Sequence, residues 1–240
     1  MFNSVVITLL NIQTMFLSIF DINRVFFTVS DYPMSYIEFF GTIFTIWCVW
    51  LTMKAKVLSW PVGILGTILY IGLFYQIQLY SDLIEQIYFL VSSFIGWWVW
   101  LRPGTAGKNA FDERKISRNS LKENVICVAV IGLGTVALTY VTTHLTVWLP
   151  AYFSKPAAFP WLDAATTVMS FTAQWLLVKK NIENWVLWII VDAIAIWLYW
   201  YQGIRFVSLE YVLFFFLATA GLIRWIRQYK AEQKTYEPAV

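Results

Sequence analysis

The sequence predicts an all-α membrane protein with seven transmembrane helices. These form two parallel three-helix repeats joined by a connector helix, with an amphipathic helix at the N-terminus. Three observations predict this. Of the 240 residues, 60% are hydrophobic and only 13% charged, with mean hydropathy +0.65, whereas an ordinary soluble domain is about 25% charged. Seven apolar stretches approach the roughly 20 residues that a helix needs to cross a bilayer, without the period-two alternation of barrel strands. Finally, the chain matches itself at a shift of 125 residues.

The elements follow in order. Residues 1–30 are assigned to the amphipathic helix, because Ser4, Thr8, Asn11 and Ser18 paint one uncharged stripe along 2–20. An eighth spanning helix is the alternative there. No Lys or Arg precedes Arg24, so the segment lacks the basic region of a signal peptide. The first repeat, 36–101, holds spans at 36–53, 60–79 and 83–101. The polar stretch 102–124, "RPGTAGKNAFDERKISRNSLKEN", is a cytoplasmic loop. The connector is 125–148, whose few polar groups are mostly Thr and Tyr hydroxyls. The second repeat, 161–226, holds spans at 161–178, 185–202 and 207–226, and 227–240 is a cytoplasmic tail.

The repeat is ungapped across three helices. Trp50 falls on Trp175, Lys54 on Lys179, Trp60 on Trp185, Glu85 on Glu210, Gly96 on Gly221 and Trp100 on Trp225. Three spans plus the connector make an even number of crossings. Both repeats therefore enter from the same side, related by an axis along the membrane normal. Loop charge sets the orientation. Fourteen Lys and Arg fall on the side of 54–59, 102–124, 179–184 and the C-terminus, and only Arg24, Lys155 and Arg205 on the other. The C-terminus is cytoplasmic and the N-terminus outside.

The stretch "WVLWIIVDAIAIWLYW" (185–200) carries one charged residue, Asp192. A mid-helix Asp costs about 2.5–3.5 kcal/mol on insertion, so it implies a polar lining or a partner. Helical spacing puts Asn184, Trp188, Asp192, Ala195 and Tyr199 on one face, the wall of a polar, aromatic pocket. A structural bond to a neighbouring helix is the competing role for Asp192. The repeat mates Ser59, Gly63 and Thr67 of Asn184, Trp188 and Asp192 leave space where the second repeat supplies bulk and charge. Gln174, deep in the fifth span, and Gln86 and Tyr211, which differ from their mates, are further pocket candidates. Glu85 and Glu210, present in both repeats, read as structural, and Asp163 as a helix cap.

Several classes are excluded. "GTAGKN" is too short for a phosphate-binding loop, and no lysine within a span could hold retinal. One histidine and two cysteines in apolar stretches provide neither a metal centre nor a disulfide framework. No nucleophile–base pattern appears, so an enzyme is the weakest reading. The basic loop is a topology signal, with no nucleic-acid role. A cofactor is not implied.

The 3+1+3 plan resembles the SWEET sugar transporters at full length. The motifs "YQIQLYSDLIEQ" (75–86), "FPWLDA" (159–164), "KKNIENWVLWIIVDAI" (179–194), "YQG" (201–203) and "SLEY" (208–211) are closer to the bacterial Pnu vitamin transporter family, above all its nicotinamide riboside branch. The resemblance covers residue 36 to the end. It implies facilitated diffusion of nicotinamide riboside across the bacterial inner membrane, uncoupled to ions or ATP, with trapping by a cytoplasmic riboside kinase. It also implies a site between the repeats, onto which Asn184 and Trp185 of "ENW" carry over. Trp188, Asp192, Gln174, Gln86 and Tyr211 join them. Thiamine and riboflavin transporters share the architecture, so another vitamin stands as the alternative. A proton-coupled transporter and a ligand sensor also compete. A homo-oligomer in the bilayer is compatible with all of these.

Overall fold

A computed structural model describes residues 20–29, 32–77, 80–102, 115–148, 159–203 and 205–234. Seven helices are found among them: α1 (Tyr36–Met53), α2 (Ser59–Gln76), α3 (Tyr80–Leu101), α4 (Leu121–Trp148), α5 (Pro160–Val178), α6 (Glu183–Tyr201) and α7 (Arg205–Lys234). Five are long and apolar enough to cross a membrane, namely α1, α3, α4, α6 and α7. The other two, α2 and α5, run 18 and 19 residues. They share their faces with protein neighbours: α2 packs between α1 and α3, and α5 touches α3, α4 and α6.

Local chemistry explains several boundaries. Two Ser-x-x-Glu capping boxes open helices. Ser35 and Glu38 start α1, and Ser120 and Glu123 start α4, with Ser120 N–H donating to Glu123 at 2.7 Å. Each satisfies amide donors that a helix start leaves unpaired. Pro160 opens α5, where a missing N–H costs nothing. Ala55 and Lys180, at φ 54° and 63°, follow α1 and α5. They are repeat mates, so both halves turn in the same left-handed way.

Four expectations are corrected. The segment 1–30 is not helical where it is described: residues 20–24 turn and Val25–Val29 forms strand β1, paired antiparallel with β2 (Tyr32–Ser35). "VFFTV" is β-branched and aromatic throughout, a composition suited to a strand. The stripe read on 2–20 lies outside the described residues except for Phe20. Helix α2 stops at Gln76, and α3 starts at Tyr80. Residues 115–120, placed in a loop, are docked: Ser117 bridges Asn181 in parallel, and α4 begins at Leu121. Helix α7 continues to Lys234, through the segment assigned to the tail, because "RQYKAEQK" is rich in strong helix formers.

The hairpin sits on the outer flank of α1. Phe26 packs against Tyr36 and Phe39 with ring centroids 4.6 and 5.0 Å apart, and the Tyr32 hydroxyl donates to Glu38. Burial, then that bond and the Glu38 charge, push the Tyr32 hydroxyl above its ordinary range.

The halves repeat in their contacts. Trp60 lies edge-on to Trp100 at 5.2 Å and 88°, and Trp185 to Trp225 at 5.5 Å and 89°. Trp100 Nε1 donates to the Val178 carbonyl, and Trp225 Nε1 to the Thr52 carbonyl, each at 3.2 Å. Each half thus bonds the last turn of the other half's first helix. Contacts between α3 and α5 correspond to those between α7 and α1, while α4 packs on α5. All four tryptophans belong to one buried cluster with Ile116 and Ile182. This is the lysine-rich end, where the Lys180 ammonium stands 4.6 Å from the Trp100 ring.

The opposite end has its own seam. Glu210 of α7 accepts from Thr42 of α1 at 3.1 Å and from Tyr70 of α2 at 3.5 Å, and Thr42 and Tyr70 bond each other at 3.0 Å. Glu210→Ala removes the seam's acceptor, so that one of the two hydroxyls can still donate to the other and the second is left without an acceptor. A loss of about 1–3 kcal/mol is expected, read as a lower melting temperature of the detergent-purified protein.

Candidate solute site

Asp192 is the tenth of nineteen residues in α6, the midpoint of the helix. It is 5% exposed. No hydrogen bond or ion pair reaches its carboxylate among the described residues. A structural clasp would leave a partner visible, and among the described residues there is none.

Three other helices complete the surroundings. Helix α3 offers Phe89 and Ser93, one turn apart on one face. Phe89 lies 6.2 Å from the Trp188 ring, and Ser93 Oγ accepts a long bond of 3.5 Å from Gln174 Nε2 of α5. Gln174 and Trp188 therefore meet the same face of α3. Helix α5 adds Phe171, whose ring packs on Tyr88 at 4.3 Å while its carbonyl accepts the Tyr88 hydroxyl at 2.9 Å. Helix α7 adds Tyr211, stacked on Tyr199 of α6 at 5.4 Å and 13°. The arrangement offers aromatic faces, an amide, hydroxyls and an unpaired carboxylate.

The candidates do not all gather there. Gln174 and Trp188 meet the same face of α3, with Asp192 one turn beyond Trp188 along α6, while Tyr211 stacks on Tyr199, seven residues beyond Asp192. Gln86 is half-buried in the second turn of α3, beside Glu85, with no hydrogen-bond partner among the described residues. Asn184 and Trp185 sit at the lysine-rich end, eight and seven residues before Asp192, about 12 and 10 Å along the helix axis. Asn184 is fully buried, and its Nδ2 donates to the Asn181 carbonyl at 2.5 Å. Asn181 in turn is held by residues 115–120. Ser117 Oγ donates to Asn181 Oδ1 at 2.6 Å, Asn181 Nδ2 donates to Asn119, and the Asn119 N–H donates to Glu183 at 3.1 Å. The "KKNIENW" motif thus ties the α5–α6 turn to the segment leading into α4.

Phe89 and Ser93 were not singled out from sequence. The serine pair Ser92–Ser93 inside "YFLVSSFIGWW" was a signal, since both are buried polar groups in an apolar run.

A bundle of apolar helices long enough to span, with a carboxylate buried midway along one of them, defines a multi-pass membrane protein. Residues 35–227 match the family model described as "Nicotinamide mononucleotide transporter", and the chain belongs to that family. It is 32% identical over 209 residues to the nicotinamide riboside transporter PnuC of Escherichia coli (strain K12), covering 81% of this chain and 87% of that protein. It is 22% identical over 204 residues to the riboflavin/roseoflavin transporter RibM of Streptomyces davaonensis, covering 85% and 91%. Among solved structures, the crystal structure of the vitamin B3 transporter PnuC matches with TM-score 0.60 and 23% identity, over 82% of this chain and 81% of that one. That likeness supports the fold. Relatives of this family are transporters, which sets the chain apart from enzymes.

Proposed function

We propose that the chain carries nicotinamide riboside across the bacterial inner membrane by facilitated diffusion. The observation that carries this reading is the unpaired carboxylate of Asp192, midway along α6 and in line with Trp188. Nicotinamide riboside is a flat cation with an amide and ribose hydroxyls. Indole and phenol faces attract a cation, Gln174 suits the amide, and a carboxylate accepts from hydroxyls while neutralising the charge.

The family description names the mononucleotide, but the residues favour the riboside. Arg224, near the lysine-rich end, is the sole Lys or Arg within the predicted spans. A phosphate dianion beside Asp192 would meet a second negative charge without a counter-charge. The sharper similarity to riboside transporters, 32% against 22% for the riboflavin transporter, supports the same choice.

In this reading all seven helices cross the bilayer, α2 and α5 included. The repeats are parallel about an axis along the membrane normal, and the lysine-rich end is cytoplasmic. The mated tryptophan contacts support the parallel relation, and the fourteen-to-three charge bias supports the orientation. The two halves rock about the chamber to give alternating access, and a cytoplasmic riboside kinase makes entry irreversible.

Calorimetric titration of the purified protein with nicotinamide riboside, and in parallel with thiamine, tests the substrate. Saturable heat with the riboside and none with thiamine is expected. Binding of thiamine alone would move the chain to a different vitamin, and binding of neither would remove the solute from Asp192.

A further inference from the structure

The polar network at the lysine-rich end is built on one half only. Residues 115–120 lie along the α5–α6 turn, with Ser117 and Asn181 paired in parallel. The Ser117 N–H donates to the Lys180 carbonyl at 3.1 Å, and the Ile182 N–H to the Ser117 carbonyl at 3.0 Å. Side chains enter three more bonds: Ser117 Oγ to Asn181 Oδ1, Asn181 Nδ2 to Asn119 Oδ1, and the Asn119 N–H to Glu183. Arg118 stands 3.7 Å from the Glu183 carboxylate. Ile116, 3% exposed, joins the buried tryptophan cluster. The segment runs directly into α4, and α4 packs on α5.

The first half has no such fastening among the described residues. The mates of Asn181, Ile182 and Glu183 are Lys56, Val57 and Leu58. An ammonium cannot accept a hydrogen bond, and the other two side chains are apolar. The α1–α2 turn therefore lacks the amide and the carboxylate that hold residues 115–120 on its counterpart, and Leu58 is 53% exposed.

Magnitudes decide whether the fastening lets go. One hydrogen bond is worth about a twofold to tenfold factor in an equilibrium. Five would have to break together, and Ile116 would enter water with them. The polar joints between the halves in this cluster are slighter. They are two single indole bonds to carbonyls at 3.2 Å and the Lys180 ammonium against the Trp100 ring. The edge-on pairs, Trp60 with Trp100 and Trp185 with Trp225, lie within a half.

We infer that residues 115–120 are a permanent strap. They carry α4, α5 and α6 as one body through the transport cycle, and the lysine-rich end opens where the strap is absent, by withdrawal of the α1–α2 turn. This rests on the transport reading above. The connector then does more than reverse the chain: it stiffens one half and leaves the other to move.

A disulfide tests this. Ser117→Cys with Asn181→Cys, in a chain carrying Cys48→Ala and Cys127→Ala, ties the strap to its turn, since bridge partners lie within disulfide reach. Uptake of labelled nicotinamide riboside into proteoliposomes is compared before and after reduction of one preparation. Rates within about a factor of two are expected, because no step of the cycle opens the strap. Uptake that stops on oxidation and returns on reduction would make the strap a latch released in every cycle, and would overturn the inference. Hydrogen exchange on the unmodified chain gives a second reading, and decides if the cysteine variant fails to fold. With saturating riboside, amides of 54–58 should change rate by at least about threefold, while those of Ser117 and Ile182 stay as slow as without it. No change at 54–58, or an equal change at Ser117 and Ile182, overturns the strap and leaves the transport reading standing. Absence of uptake by the wild-type chain overturns both.

Discussion

Replacing Asp192 by Asn is expected to weaken nicotinamide riboside binding at least thirtyfold and to slow its uptake in proportion. The substitution removes one negative charge and almost no volume, so packing around α6 is preserved. What it removes is the counter-charge for a pyridinium in a site withdrawn from water. Truncating one partner of such a buried pair costs about 2–5 kcal/mol, and about 1.4 kcal/mol is a factor of ten. The free protein should gain stability, because a carboxylate 5% exposed with no hydrogen-bond or ion-pair partner among the described residues becomes a neutral amide. Loss of binding with a raised melting temperature is therefore the signature of a ligand carboxylate. A structural Asp would show the reverse, a lower melting temperature with binding retained. Calorimetry and a thermal melt on the same preparation measure both.

The second large effect is on folding. A Cβ added at Gly96 would lie 2.2 Å from the Trp60 ring, and one at Gly221 2.8 Å from the Trp185 ring. Neither ring can retreat, since each is wedged edge-on against a second tryptophan at 5.2 or 5.5 Å. Overpacking of this kind costs about 1–3 kcal/mol and at times more. Gly96→Ala should melt well below the wild type, and Gly221→Ala less far below. Equal melting of both variants and the wild type would mean that the tryptophan cluster is not the close-packed seam described above.

Much of the bundle was legible in the sequence because apolar run length is a one-dimensional property. The span read at 36–53 coincides with α1, and the others differ from their helices mainly at the ends. The failures have local causes. Periodic polarity on 2–20 encouraged a helical reading of the whole segment, whereas "VFFTV" and "YPMS" pair as strands once α1 provides Phe39 for their aromatic residues to cover. The extension of α7 to Lys234 escaped because "RQYKAEQK" is polar, and polarity ends a span without ending a helix. The docking of residues 115–120 depends on Asn181, sixty-four residues from Ser117, and no local pattern announces it.

The site was partly legible for a related reason. Asp192 stands out in "WVLWIIVDAIAIWLYW" because burying a charge is expensive, and Trp188 shares its helical face. Comparing the repeats for differences favoured Gln86 and Tyr211. The bond that Thr42 donates to Glu210 gives one shared glutamate a structural partner, and that partner sits 168 residues away. Asn184 was placed in one pocket with Asp192 by helical spacing, which reports the face of a residue and not its depth, and Trp185 by the resemblance alone. In the fold they lie two turns nearer the lysine-rich end, in surroundings of their own.

The measurement closest to the central claim is uptake of labelled nicotinamide riboside by proteoliposomes, with and without a pH gradient. Saturable entry that stops when the inside and outside concentrations are equal, and that is unchanged by the gradient, is the predicted result. Accumulation above the outside concentration when the gradient is imposed would contradict it, and would make Asp192, Glu85 or Glu210 a proton carrier.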